Sequence, residues 1–404
     1  MASKVFEDIR VADFSWAAAG PGIALCLASL GAEVIHIESK THLDIVRTSG
    51  PFKDNKIHPD RSGSFAQYNA GKYGITLNLR NPRGKEIAKK IVACSDVVIE
   101  NMSLGAMKRL GLGFDELQKV KPDIIMISAS LQGQTGPASG RIGFGSQLAS
   151  LSGFYEICGW PDRGPEMVWG AYTDYISIRV GLVALIAALD YRRRTGEGQY
   201  LDLSEYEAGV GLLAPEIINY LINGRAITRR GNKSPNAAPH GVFPCKGEDS
   251  WCAIAIFTDE EWQNLCEVMG SPEWAKDHEF ATLMGRKANE DKLEELLSKW
   301  TINWTTKELV QRLQKANVPA GIVQNPQEVQ EDIQLNHRHY FWQLQHPEIG
   351  KHYYEAPAFI LSEAPAEFQM PAPCLGEHNK YVYTKILGLS DQEFFELSAD
   401  GVFD

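Results

Sequence analysis

Ile9-Arg10-Val11-Ala12-Asp13-Phe14, then Ala17-Ala18-Ala19-Gly20-Pro21-Gly22, then an apolar run to Leu30, then Gly31-Ala32-Glu33-Val34-Ile35-His36-Ile37-Glu38 follow one another near the start of the chain. The first block reads as a buried strand. The small residues make a tight turn into a helix, with Pro21 suited to its first position because a proline there leaves no N–H unpaired. Gly31 stops the helix, and residues 32–37 form the next strand. Strand, helix and strand in this order call for a parallel sheet. The pattern recurs downstream. Residues 75–79 read as a strand, Asn81-Pro82 opens a helix to Ala93, and residues 96–100 are a strand ending before Asn101. Residues 114–120 are helical and 124–130 are another strand. The predicted fold class is α/β, with a doubly wound first half.

Beyond it lies a Gly/Ser-rich stretch, 132–153, then a helix to about Arg194 closed by Arg192-Arg193-Arg194-Thr195-Gly196. Cations and glycine favour a helix C-terminus. A strand at 200–203 and a helix at 205–222 follow. Composition shifts near Asn223, into a loop rich in Gly, Asn, Pro and Ala at 229–241. A strand at 251–257 and helices at 259–269, 292–300 and 305–316 suggest a smaller α+β domain. From Val318 short strands return, with a final helix at 391–398. The expected limits are 1–222 for a large Rossmann-like domain, 223–320 for the small domain, and 321–404 for a segment rejoining the large one.

The 404 residues are 44% hydrophobic and 23% charged, ordinary values for a globular protein. A net charge of −11 argues against nucleic acid as a general partner, while leaving room for a local basic pocket. The N-terminal segment lacks a signal-peptide apolar core. The longest apolar stretch, 180–189, is too short to span a bilayer, so no membrane partner is expected. Seven cysteines, none in a C-x-x-C pair, suit a reduced, cytoplasmic setting. The ten histidines are scattered, and no metal site is expected.

Ala171-Tyr172-Thr173-Asp174-Tyr175 stands just ahead of the long apolar helix. The plain reading of Asp174 is an N-cap for free backbone N–H groups. The sharper reading is a nucleophilic carboxylate that receives a nucleotide-bearing cosubstrate from the α/β domain. Cations gather at or near the predicted strand ends, at Lys40, Arg47, Lys72, Arg80, Lys108 and Arg109, where ligands of such sheets bind. A nicotinamide site is the rival. Glu38 lies near the usual distance for a ribose-binding acid, but Gly20-Pro21-Gly22 lacks the third glycine of the fingerprint.

The segments Val11-Ala12-Asp13-Phe14 with Ala19-Gly20-Pro21, Gly31 to Glu38, and Asn69-x-Gly71-Lys72 resemble the class III CoA-transferases, the family of formyl-CoA and carnitine CoA-transferases. So do Asp96-Val97-Val98-Ile99-Glu100-Asn101, Gly105-Ala106-Met107-x-Arg109-Leu110-Gly111, Thr195-Gly196-x-Gly198-Gln199 and Leu375-Gly376-Glu377-His378-Asn379. The match spans nearly the whole chain in the family's order. It implies a large domain built from both chain ends, a smaller domain between them, and an interlocked homodimer or a heterodimer with a homologous subunit.

The resemblance makes Asp174 the catalytic aspartate. It implies attack on a donor acyl-CoA to give a mixed anhydride, then an aspartyl-CoA thioester that an acceptor acid resolves, with no tightly bound cofactor. CoA-binding positions carried over are Lys40, Lys72, Asn101 and Arg109. The acyl site would draw on Trp16, Ala17, Ala18, Phe144, His240 and Gly241. Two departures stand out. Ala18 replaces a glutamine of the formyl-CoA enzymes, and Asn236-Ala237-Ala238-Pro239-His240-Gly241 replaces a glycine-rich loop. The first, with Trp16 and Ala17 beside it, points to a bulkier, apolar acid, and the second puts a mobile, backbone-donating loop in doubt. Within the family the likeness runs to the branch taking succinyl-CoA as donor and benzylsuccinate as acceptor, in anaerobic aromatic degradation. Arg141, Arg163 and Arg179 are candidates to hold an acceptor's carboxylate. An acyl-CoA racemase of the same superfamily needs a histidine where this chain has Gly143-Phe144-Gly145-Ser146. A non-catalytic partner subunit is the remaining alternative, which the presence of Asp174 opposes.

Overall fold

Six strands, all paired in parallel, form the main sheet of a computed structural model that describes residues 4–404. They are β1 (Arg10–Asp13), β2 (Glu33–Glu38), β3 (Lys72–Thr76), β4 (Val97–Glu100), β5 (Ile125–Ser130) and β6 (Tyr200–Ser204), in the spatial order β3-β2-β1-β4-β5-β6. Strand order reverses between β1 and β4, the position at which open α/β sheets bind ligands. The helices in this part of the chain are α1 (Ala19–Ser29), α2 (Gly63–Asn69), α3 (Pro82–Ala93), α4 (Ala106–Leu110), α5 (Phe114–Val120), α6 (Gly145–Leu151), α7 (Phe154–Ile157), α8 (Tyr172–Thr195), α9 (Glu205–Leu212) and α10 (Ala214–Asn223).

The strands read as continuous apolar runs because both sheet faces are covered. Alternate residues feed two cores. Ala12, Ile35, Ile75 and Val98 pack with Ile87 and Ile91 of α3 and with Val402 and Phe403 from the chain's end. Val11, Val34, Val97 and Ile125 pack on the other face with Ile23 and Leu27 of α1 and Leu185 of α8. The C-terminal segment returns to β3. Thr76 Oγ1 donates to the Phe403 carbonyl at 2.7 Å, and the Tyr383 hydroxyl donates to the Thr76 carbonyl at 2.7 Å. The large α/β part is thus built from both chain ends.

The chain divides into two compact units. The first holds Met1–Tyr155, Met167–Ala226 and Ile333–Asp404, and the second holds Glu156–Glu166 and Ile227–Asp332. The second has its own antiparallel sheet of β7 (His240–Pro244), β8 (Trp251–Ala255) and β9 (Ala320–Ile322). Phe243, Ile254, Trp262, Phe280 and Leu309 are in its core.

Three local expectations change. The strand expected at 75–79 is β3, three residues earlier, because Asn78 turns the chain by accepting from the Arg80 N–H at 3.0 Å. The helix expected at 205–222 is two helices, because Pro215 in the first turn of α10 has no N–H to continue α9. Pro21 is the third residue of α1 rather than its first, still within the turn that needs no N–H.

The long apolar helix α8 has the length and composition to cross a bilayer, beyond what the stretch 180–189 suggested. It packs instead against α1 and the sheet. A Cβ on Gly181 would meet Ile23 at 2.6 Å and Leu203 at 2.9 Å, so glycine sets that close approach.

Candidate active site

Three helix ends meet at Asp174. The residue is the third of α8, whose N-cap is Ala171 with no side-chain capping bond. Asp174 is therefore not the cap that local sequence suggests; its carboxylate is free of that role. Thr173, fully buried, donates its hydroxyl to the Gly145 carbonyl at 2.9 Å, tying the start of α8 to the start of α6. A Cβ on Gly145 would overlap Asp174 Oδ2, so only glycine leaves space for this carboxylate. The third helix is α9. A Cβ on Gly209 would meet Ser152 Oγ at 2.6 Å and Thr173 Cγ2 at 3.0 Å.

Asp174 Oδ2 is buried and finds no hydrogen-bond partner among the described residues. Burial pushes the carboxyl up from 3.8 to about 6, against a lowering by its own backbone N–H. Glu205, first residue of α9, is 3% exposed, and its Oε2 is also without a partner among the described residues. Burial first, and the charge of Asp174 second, hold Glu205 well above the ordinary glutamate range. The Tyr68 phenol of α2 is raised by burial, then by Tyr175 and by Asp174.

Trp16, Ala17 and Ala18 form the loop leaving β1 at the strand-order reversal. Asn101, leaving β4, clamps it. The Trp16 N–H donates to Asn101 Oδ1 at 2.8 Å, and Asn101 Nδ2 donates to the Trp16 carbonyl at 2.6 Å. Ala17 has φ 63°, and its N–H donates to both oxygens of Asp44 at 3.0 and 3.1 Å. Lys72 lies beneath. It is fully buried, and its ammonium donates to Asp13 Oδ2, the Pro21 carbonyl and Asn69 Oδ1, each at 2.9 Å. All three donors are used inside the protein, which gives Lys72 a supporting place under the loop. Asp13 also accepts from Ser15; Lys72 and His36 outweigh its burial and hold its carboxyl far below the usual range.

The other candidates scatter. Glu38 is bound by buried Arg47 through two bonds of 2.7 Å and has no lone role for a ribose. Lys40 is exposed and 3.4 Å from Asp404. Arg109 donates to the Leu104 carbonyl at 2.9 Å, at the margin of a cavity of about 320 Å³ lined by Glu100, Leu104, Lys108, Phe114, Ser128 and Tyr200. That cavity runs from Glu100 at the carboxyl end of β4 across Met126 and Ser128 of β5 to Tyr200 at the start of β6. Phe144 precedes α6 with an exposed ring, and its N–H donates to Gln147 Oε1 at 2.8 Å. His240 and Gly241 belong to the second unit, on β7, where with Asn232, Ala253 and Gly321 they line a cavity of about 520 Å³. Among the described residues no group of three or more His, Cys, Asp or Glu is placed to hold a metal.

Residues 6–379 match the model of CoA-transferase family III. The chain is 32% identical over 399 residues to a succinyl-CoA–D-citramalate CoA-transferase of Chloroflexus aurantiacus, covering 99% of this chain and 98% of that one. It is 32% identical to a formyl-CoA:oxalate CoA-transferase of Streptomyces coelicolor, covering 100% of both. The crystal structure of a CAIB/BAIF family protein from Brucella suis superposes with a TM-score of 0.87 at 30% identity, over 96% of this chain and 100% of that one. The chain belongs to CoA-transferase family III, and its substrates are CoA thioesters and carboxylic acids.

Proposed function

We propose that this enzyme moves CoA from succinyl-CoA to a dicarboxylic acid through covalent acylation of Asp174. The observation that carries the reading is the half-buried Asp174 carboxylate, whose buried Oδ2 is fitted against Gly145 and paired to no cation among the described residues. A desolvated, unpaired carboxylate is a stronger nucleophile than one in water.

The ionised Asp174 oxygen attacks the thioester carbonyl carbon. The C–S bond breaks, leaving a mixed anhydride and a CoA thiolate. The thiolate attacks the Asp174 carbonyl, the donor acid departs as a carboxylate, and an aspartyl-CoA thioester remains. The acceptor carboxylate runs the two steps in reverse. Charge passes from Asp174 to sulfur to the departing acid, and no proton moves. First-turn N–H groups of α8, without intrahelical acceptors, would stabilise the oxyanions. Water must stay out, since it would hydrolyse either intermediate.

CoA would lie along the carboxyl edge of the sheet. The cavity beside Arg109 and Lys108 supports that placement, with Asn101 and the Trp16–Ala18 loop toward the pantetheine and Lys40 farther out. Lys72 would act from beneath, by holding the loop. Phe144 and Trp16 are the candidate walls of the acyl site.

The relatives' printed donors and acceptors, succinyl-CoA with citramalate and formyl-CoA with oxalate, support a dicarboxylate acceptor; Trp16 and Ala18 support a bulky one such as benzylsuccinate. Arg141 and Arg179 are cations without a carboxylate partner among the described residues, whereas Arg163 lies 3.9 Å from Asp162, and Arg179 shares α8 with Asp174. Arg179 is the better candidate for the acceptor's second carboxylate.

A dimer of this chain, or a pair with a homologue, is supported by the apolar surface of α8 and α10. Val183 is 68% exposed, Leu221 74% and Ile222 75%, more than an isolated chain normally shows in neighbouring positions. Seven free cysteines support a reducing, cytoplasmic setting. The test is a CoA-transfer assay of the purified chain with succinyl-CoA and a panel of benzylsuccinate, citramalate, glutarate, oxalate and formate, with molar mass measured alongside. Transfer to dicarboxylates by a dimer is expected. Transfer to formate alone contradicts the acceptor reading, and activity only after addition of a second chain contradicts the homodimer.

A further inference from the structure

Glu205 has no part in the steps above, yet it is buried at the junction of α6, α8 and α9 with an unpartnered oxygen, beside half-buried Asp174, whose Oδ2 is also buried and unpartnered among the described residues. The groups facing the pair are few. Helix α6, Gly145–Leu151, contributes no titratable side chain. Helix α8 contributes Asp174 and Tyr175, α2 contributes Tyr68, and α7 contributes Tyr155, whose hydroxyl donates to the Ser146 carbonyl at 2.7 Å. On α9 itself stand Tyr206 and the exposed-side Glu207, whose N–H donates to Ser204. Among the described residues no lysine or arginine pairs with either carboxyl. Two neighbouring buried carboxyls without a cation hold one negative charge between them.

We propose that Glu205 is a positioning residue for Asp174, keeping its proton throughout the reaction so that the pair's single negative charge stays on the nucleophile. Glu205 is the more deeply buried of the two, 3% exposed against half-buried Asp174, so its ionisation is opposed more strongly and Asp174 takes the charge. During attack one negative charge spreads over the Asp174 oxygen, the thioester oxygen and sulfur. A second charge on Glu205, inside a poorly screened junction, would oppose it. The neutral acid leaves the charge free to move, and its proton is neither given nor taken in any covalent step.

The inference rests on Asp174 being the nucleophile, and the experiment separates the two. The rate of CoA-adduct formation on the Asp174 peptide is measured with succinyl-CoA from pH 5 to 10, in wild type, Glu205→Gln and Asp174→Asn. Wild type is expected to show an acid limb and an alkaline fall of about tenfold or more. Glu205→Gln, which mimics the protonated acid, should lose the alkaline fall and keep the acid limb. An alkaline fall that persists in Glu205→Gln overturns the proposal, as does a wild-type rate that stays flat to pH 10. No adduct in wild type overturns the reading of Asp174 instead. A second measurement holds if Glu205→Gln does not fold. In protein carrying 13C-labelled glutamate carboxyls, one glutamate should remain protonated at pH 7 and titrate lower in Asp174→Asn. Identical glutamate titrations in the two proteins overturn the pairing.

Discussion

Gly145 leaves open the space that the Asp174 carboxylate fills, and a Cβ on residue 145 would overlap Oδ2 and stand 2.8 Å from Cγ. The first residue of one helix thus sets where the side chain of another can lie. Gly145→Ala should displace the carboxylate and cost about 1–3 kcal/mol of stability, the usual range for an added methyl in a packed place. CoA transfer should fall at least about a hundredfold, the scale for a misplaced catalytic group, while the circular dichroism spectrum is kept. Full activity in the alanine variant would remove the geometric argument.

The raised Asp174 carboxyl also acts on stability. Its folded value, about 6, lies above the ordinary 3.8, so the folded state resists ionisation. Well below pH 3.8 the group is neutral folded and unfolded, and contributes nothing against folding. As pH rises through 4 to 6 the unfolded chain sheds the proton more readily, and stability is lost, on the order of 3 kcal/mol by pH 7. Asp174→Asn should therefore melt higher than wild type at pH 7 and lose that advantage near pH 4. Thermal melts across this range check it, with equal melting at both pH values as the contrary result.

The acid limb of transfer follows from the same group. The kcat/KM should decline tenfold per pH unit below about 6, because the carboxylate is the attacking form. A profile flat to pH 4.5 would point to another nucleophile.

Asn101 joins the ends of β1 and β4 through two bonds to the Trp16 backbone. Asn101→Ala should lose about 1–3 kcal/mol for the pair and raise KM for acyl-CoA several-fold as the Trp16–Ala18 loop relaxes. Calorimetry and steady-state kinetics check this. An unchanged KM would make the clamp structural only.

Glu38 and Arg47 form a buried pair beside β2. Arg47→Met takes the guanidinium from a buried carboxylate, leaving only His36 Nε2 at 3.8 Å, and should cost about 3–5 kcal/mol. NAD should stabilise neither wild type nor variant. A melting shift on adding NAD would revive the dinucleotide reading.

Much of the fold was legible because β1, β2, β4 and β5 are buried on both faces and leave uninterrupted apolar runs, punctuated by Gly31 and Asn81-Pro82. The return of the C-terminal segment to β3 was carried by family resemblance, since nothing local in Val402-Phe403 announces a partner at Thr76. Asp174 was legible as a candidate, although its cap role failed. Glu205 was not. A glutamate after Ser204 reads as an ordinary acidic first turn, and only the packing of α9 on α6 and α8 buries it. The same holds for Lys72, a motif lysine that reads as a ligand cation until its three acceptors are seen. Gly145 carried a signal in Gly143-Phe144-Gly145, read only for the missing histidine. That residues 156–166 join the second unit had no mark in composition.

The most direct measurement is intact-protein and peptide mass spectrometry after mixing the chain with succinyl-CoA, in wild type and Asp174→Asn. The account predicts a CoA-sized adduct on the peptide carrying Asp174 in wild type and none in the variant. An adduct on another residue, or none in wild type under conditions where transfer proceeds, would contradict it.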